Sequence, residues 1–363
     1  MSRPSIPLSF TPFEAPALAA VLNQYPSDRP DLLIQAFEER LKFFTGADHV
    51  VAVNSGTSAL HLALRAVGVG PGDYVLAPTF TYVATIYPVL YLGARPFLID
   101  SERETWNIDP QLVWEALASL KVKGIRPKAL VVTHTYGGVA QMAKLLAIAE
   151  EAGLAVIEDA AESLGALFHG KPSGTLGDVG VFSFNNNKTF TTFGGGALVT
   201  NDAHVARNVR LWASQARENT PHYLHGTLGY NYRMSPLNAA YGLAQWPTFD
   251  SRLNDRRRVA ERYGRMAGVE MQPEQTGTWH SRWLPALLLS DTQKLEFAIE
   301  MLDNQSIEYR RLWNPMHRQP VFADEISLLS GVADDLFSRG LCLPSGTNLA
   351  PADQDRVLRA VGG

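Results

Sequence analysis

Between residues 48 and 200, short apolar runs alternate with longer stretches in which apolar positions recur at helical spacing. That rhythm predicts β-α units around a largely parallel sheet. Seven runs read as buried strands: His49 to Val53, Tyr74 to Ala77, Arg95 to Ile99, Ala129 to Thr133, Ala155 to Glu158, Val179 to Phe184 and Ala197 to Thr200. Ser58 to Val67 and Lys144 to Ala152 read as helices between them. After Asn231-Tyr232-Arg233-Met234 the pattern changes, and Leu237 to Trp246 and the basic stretch Arg252 to Ala267 predict long helices. The expected class is α/β. A large domain over residues 1–245 carries a mostly parallel seven-stranded sheet, and a smaller α/β domain covers residues 246–363.

Composition narrows the partners. The net charge of −4 comes without a long Lys/Arg run, so the basic footprint of a nucleic-acid binder is missing. Arg256-Arg257-Arg258 reads as a solvated helix face. A single cysteine, Cys342, excludes an internal disulfide and suits a reducing compartment. The proline-interrupted start and the lack of any long apolar run predict a cytoplasmic chain with no membrane partner. No metal-ligand pattern stands out, and no metal is expected.

In an open α/β sheet, ligands bind at the carboxyl ends of the strands, and three segments there carry chemistry. In Asn54-Ser55-Gly56-Thr57-Ser58 a strand ends in small residues and a helix starts at once, so free N–H groups and the helix dipole favour an anion. An ordinary N-cap would look the same. In Ile157-Glu158-Asp159-Ala160-Ala161-Glu162 a carboxylate ends an apolar strand, where it needs a partner such as a protonated ring nitrogen, or serves as a cap. In Phe182-Ser183-Phe184-Asn185-Asn186-Asn187-Lys188 a lysine follows a buried strand and precedes a Gly-rich turn, a place from which it can form an imine.

Together with Pro78-Thr79-Phe80-Thr81-Tyr82-Val83-Ala84-Thr85, Trp106-Asn107-Ile108-Asp109-Pro110 and Gly229-Tyr230-Asn231-Tyr232-Arg233-Met234-Ser235, these segments resemble the DegT-type nucleotide-sugar aminotransferases. The resemblance covers most of the chain. It implies the aspartate aminotransferase-like fold (PLP fold type I) and pyridoxal 5'-phosphate (PLP) as cofactor. It also implies that Lys188 carries the cofactor as a Schiff base and that Asp159 pairs with the pyridine nitrogen. Gly56, Thr57 and Ser183 would hold the phosphate, Tyr82 would stack on the ring, and Glu162 would meet the ring hydroxyl, where many relatives have Gln. Asn231 matches a residue that reaches the phosphate of the neighbouring subunit, which implies a homodimer with shared active sites. An amino donor, glutamate in such families, would leave its amine on the cofactor for a keto sugar to collect, with Lys188 moving the proton and ping-pong kinetics as the signature.

Thr191-Thr192 before the glycines is similar to the pattern of enzymes that aminate C4 of the sugar. Segments around Arg310, Trp313, His317 and Phe322 resemble the branch acting on UDP-2-acetamido-4-keto-2,6-dideoxyhexose. There an aromatic face would cover the sugar, Arg310 would meet the diphosphate and His317 a hydroxyl or carbonyl. Arg311, Asn314 and Arg318 depart from that branch, which leaves dTDP- and GDP-linked sugars open. A PLP-dependent sugar dehydratase is a further reading, but such relatives carry histidine in place of the lysine. A catalytically silent PLP-binding protein is another.

Overall fold

The structure, a computed structural model, describes residues 6–362; residues 1–5, part of the proline-interrupted start, and residue 363 lie outside them. All seven expected strands form, and they share one sheet with an eighth, Ile326–Leu328. Across the sheet the order is 49–53, 196–200, 179–183, 155–159, 129–133, 74–78, 95–99 and 326–328. Gly196–Thr200 runs antiparallel to both neighbours, and the other strands share one direction. The seven-stranded expectation therefore falls one strand short. Ile326–Leu328 is too short to show a period, yet it pairs in parallel with Arg95–Ile99 and covers what would be an open sheet edge.

The C-terminal half holds a four-stranded antiparallel sheet of Val269–Met271, Ala286–Leu289, Gly340–Cys342 and Arg310–Arg311. Helices Thr292–Asn304 and Pro351–Gly362 pack over it. The N-terminal segment enters the same core: Ile6 is buried there and bridges Ile307.

Two expectations for this half change. Instead of two helices there is one, Pro236–Tyr263, continuous through Pro247. Proline removes one helical hydrogen bond. Trp246 and Phe249 on either side of it pack against Phe44 and Phe190, and this packing carries the helix through. Residues 245 and 246, the expected domain boundary, lie inside that helix. Nor is the arginine cluster a solvated face. Arg256 is fully buried, Arg257 is paired with Glu274, and only Arg258 is well exposed. The turn of the helix toward the N-terminal segment decides this, because Arg256 donates to Ser9 Oγ, the Trp283 carbonyl and Ser345 Oγ.

Candidate active site

The helix Gly56–Ala66 starts directly where strand His49–Val53 ends. Ser55, in extended conformation, caps it by accepting the Ser58 N–H at 3.0 Å. The first N–H groups of a helix have no partner within it. Those of Gly56 and Thr57 are thus left at the positive end of the helix dipole, as an anion site needs. The fit against the neighbouring hairpin is close. A Cβ on Gly56 would stand 2.9 Å from that of Ser183, and one on Gly196 would stand 2.5 Å from the Ser55 carbonyl carbon.

Strand Ala155–Asp159 places successive carboxylates on opposite faces, as strand alternation requires. Glu158 is fully buried and structural: it accepts N–H groups from Gly174, Leu176 and Gly177 and contacts His134 Nε2 at 2.8 Å. Asp159, on the other face, accepts from Thr85 Oγ1 at 2.7 Å and from the Ala161 N–H at 3.2 Å. It is buried with no cation among the described residues bonded to it, and desolvation pushes its pKa up against these two hydrogen bonds. A protonated ring nitrogen would supply the missing charge.

Glu162 lies in the turn beyond that strand and accepts the Tyr136 N–H at 2.6 Å. Burial raises its carboxyl to about 7, against the lowering effect of the Lys188 charge. Tyr136 holds a left-handed φ of 55°, uncommon for a bulky side chain and the kind of strain found at functional sites. Its hydroxyl in turn accepts the Trp313 N–H at 2.7 Å, and the two rings stack 5.6 Å apart.

Lys188 lies in the turn after strand Val179–Ser183. Its Nζ stands 3.9 Å from Glu162 Oε1 and 3.7 Å from the centroid of the Trp283 ring. Burial lowers its pKa, and Glu162 and Asp159 oppose that shift. A lysine amine so held is closer to its nucleophilic, neutral form than a surface lysine.

Gly56, Asp159, Glu162 and Lys188 line one cavity of about 380 Å³. Of the residues singled out in the sequence, it brings together Gly56, Thr57, Tyr82, Asp159, Glu162, Ser183, Lys188 and Trp313. Asn231 lies on the surface beside it, where its carbonyl accepts from the Asn54 side chain at 3.3 Å. Arg310 and His317 do not reach the cavity. Arg310 pairs with Glu308, while His317 is held between Thr79 Oγ1 at 2.8 Å and Asp334. Thr85 closes the Pro78 to Thr85 segment that carries the resemblance, with no role assigned to it, and sequence reasoning missed Tyr136 and Trp283. Nothing local marks them, since each acquires its place from a distant segment.

Residues 13–362 match the sequence family described as the DegT/DnrJ/EryC1/StrS aminotransferase family. The chain belongs to this family. It is 43% identical over 337 residues to EpsN of Bacillus subtilis (strain 168), which carries the provisional name of a pyridoxal phosphate-dependent aminotransferase; the match covers 91% of this chain and 87% of that one. It is 38% identical over 339 residues to the GDP-perosamine synthase of Caulobacter vibrioides (strain ATCC 19089 / CIP 103742 / CB 15), covering 90% and 89% of the two chains. Among solved structures, a DegT DnrJ EryC1 StrS aminotransferase from Brucella abortus superposes with a TM-score of 0.88 at 28% identity, over 96% of this chain and 94% of the other. This DegT-family chain is accordingly a PLP-dependent sugar aminotransferase with the PLP fold type I architecture. The buried Asp159 lacking a bonded cation, the open helix start at Gly56 and the low-pKa lysine fit that cofactor.

Proposed function

We propose that this aminotransferase aminates C4 of a nucleotide-linked 4-keto-6-deoxy sugar, with UDP-2-acetamido-4-keto-2,6-dideoxyhexose as first candidate and glutamate as donor. The observation that carries the transfer reading is the meeting of Lys188, Glu162, Asp159 and the Gly56 helix start around one cavity. Bound there, PLP supplies the carbonyl that takes up an amine and the electron sink that acidifies the donor carbon. Lys188 is the group that carries the cofactor and, once released, moves the proton. Asp159 holds the ring nitrogen charged. Gly56, Thr57 and Ser183 take the phosphate, Tyr82 covers the ring, and Glu162 meets its hydroxyl. Asn231, exposed next to the cavity, serves the site of a second copy in a cytoplasmic homodimer. In this arrangement Trp313, rather than Arg310 or His317, is the sugar-facing residue.

C4 amination draws on Thr191 and Thr192, both buried in the turn that follows Lys188. Thr191 Oγ1 accepts the Phe193 N–H at 2.9 Å and shapes that turn. A GDP-linked substrate is the second reading, supported by identities of 38%, 32% and 35% to GDP-perosamine synthases of three organisms. Incubation of the PLP-loaded protein with glutamate and UDP-, GDP- and dTDP-linked 4-keto-6-deoxy sugars tests both. An amino sugar from the UDP panel alone supports the first reading and from the GDP panel alone the second; no product from any panel overturns them.

A further inference from the structure

Lys188 is held from below by a residue that no motif pointed to. Trp283 is buried, and its ring centroid lies 3.7 Å from Lys188 Nζ. Its indole N–H donates at 2.7 Å to the carbonyl of Asn187, the residue just before the lysine. The same carbonyl accepts from Ser9 Oγ at 3.0 Å. Behind both stands Arg256, whose guanidinium donates to Ser9 Oγ at 3.1 Å and to the Trp283 carbonyl at 2.5 Å. The result is a closed loop of hydrogen bonds joining the N-terminal segment, the long helix, the C-terminal half and the lysine turn.

Arg256 is fully buried and, among the described residues, bonded only to neutral oxygens. A buried charge without a carboxylate is costly to keep. Burial and the neighbouring Arg252 charge hold its pKa down, to about 10. What it secures here is the position of Trp283. Once fixed, the indole does two things for Lys188: it sets the height of the turn through Asn187, and it offers a π face to the ammonium. Among the described residues, the other charged groups acting on Nζ are the carboxylates of Glu162 and Asp159.

We propose that Trp283 is a positioning residue for Lys188, holding its amine over the cavity by the ring face and by the bond to Asn187. This rests on Lys188 being the cofactor lysine, but the interaction belongs to the free amine and can be measured without cofactor. The experiment follows acylation of Lys188 by acetic anhydride in the unloaded full chain across the alkaline range, read by peptide mass spectrometry. Trp283→Met keeps an apolar wall without ring or N–H, and Trp283→Phe keeps a weaker ring without the N–H.

The ring face favours the charged amine, so its loss lowers the midpoint of labelling in Trp283→Met by about one pH unit. Trp283→Phe, which secures a folded comparison, shifts it downward by less. A ring acting only as a wall would leave the midpoint unchanged, or would raise it as water enters. Either result, in every Trp283 variant that melts cooperatively, overturns the proposal. Failure of Lys188 to take up PLP, measured separately by absorbance, would instead strike the assignment of the lysine and leave the labelling result standing.

Discussion

The Lys188 amine and the Glu162 carboxylate face each other at 3.9 Å, both almost closed off from water. Burial drives both toward neutrality, lowering the lysine and raising the glutamate, while each holds the other toward its charged form. Each charge thereby offsets part of the other's burial penalty. For the proposed role of Lys188, nucleophile and then proton carrier, an amine drawn toward its neutral form is the useful property.

On that proposed assignment, replacing Lys188 removes both roles. Lys188→Ala is expected to lower turnover by about four orders of magnitude. Its circular dichroism spectrum should match that of the parent, since the side chain makes no hydrogen bond that the fold needs. Product formation measured by mass spectrometry at the parental level would remove Lys188 from the chemistry.

Glu162 gives the unloaded protein a pH-dependent stability. Burial raises this carboxyl from 4.5 to about 7, so between those values the folded chain holds a proton that the unfolded chain has released. Stability therefore falls as pH rises through that window, with an upper bound of roughly 3 kcal/mol. In Glu162→Gln this slope is absent. The variant should melt above the parent at pH 8, and the difference should close as the pH approaches 4.5. Parallel melting curves across the window would contradict this.

Gly56 sits where a side chain has no room. In Gly56→Ala the new Cβ meets that of Ser183, so the helix start must move away from the hairpin. A misfit of this kind costs about 1–3 kcal/mol, which at the upper end is more than a hundredfold in PLP affinity. Pyridoxal, which lacks the phosphate, should lose much less. Equal losses for the two ligands, measured by fluorescence titration, would place the phosphate elsewhere.

Neighbouring arginines should behave in opposite ways. Arg256→Ala leaves a cavity and takes one hydrogen bond each from the Trp283 carbonyl, Ser345 Oγ and Ser9 Oγ, which predicts a loss of about 3 kcal/mol. Arg258→Ala changes an exposed side chain and should fall within about 0.5 kcal/mol of the parent. Urea denaturation of both variants distinguishes them, and similar midpoints would refute the burial difference.

Much of this protein was legible in order along the chain. The seven strand runs, the small-residue turn before the helix at Gly56, the carboxylate at Asp159 and the lysine at Lys188 are local patterns, because strands, caps and strand-end loops are made by adjacent residues. Topology then carries those strand ends to one edge of the sheet, which is why three weak local signals converge on one cavity. What local pattern could not contain was decided by tertiary packing. The eighth strand exists only because Arg95–Ile99 offers it an edge, and the helix crosses Pro247 only because aromatic residues from elsewhere clamp it. Arg256 looks like its exposed neighbour Arg258 until the N-terminal segment folds over it, and Trp283 becomes a partner of Lys188 across a separation of 95 residues. Burial and pairing are properties of a place in space. The sequence alone determined which chemical groups this protein owns, and the fold decided which of them meet.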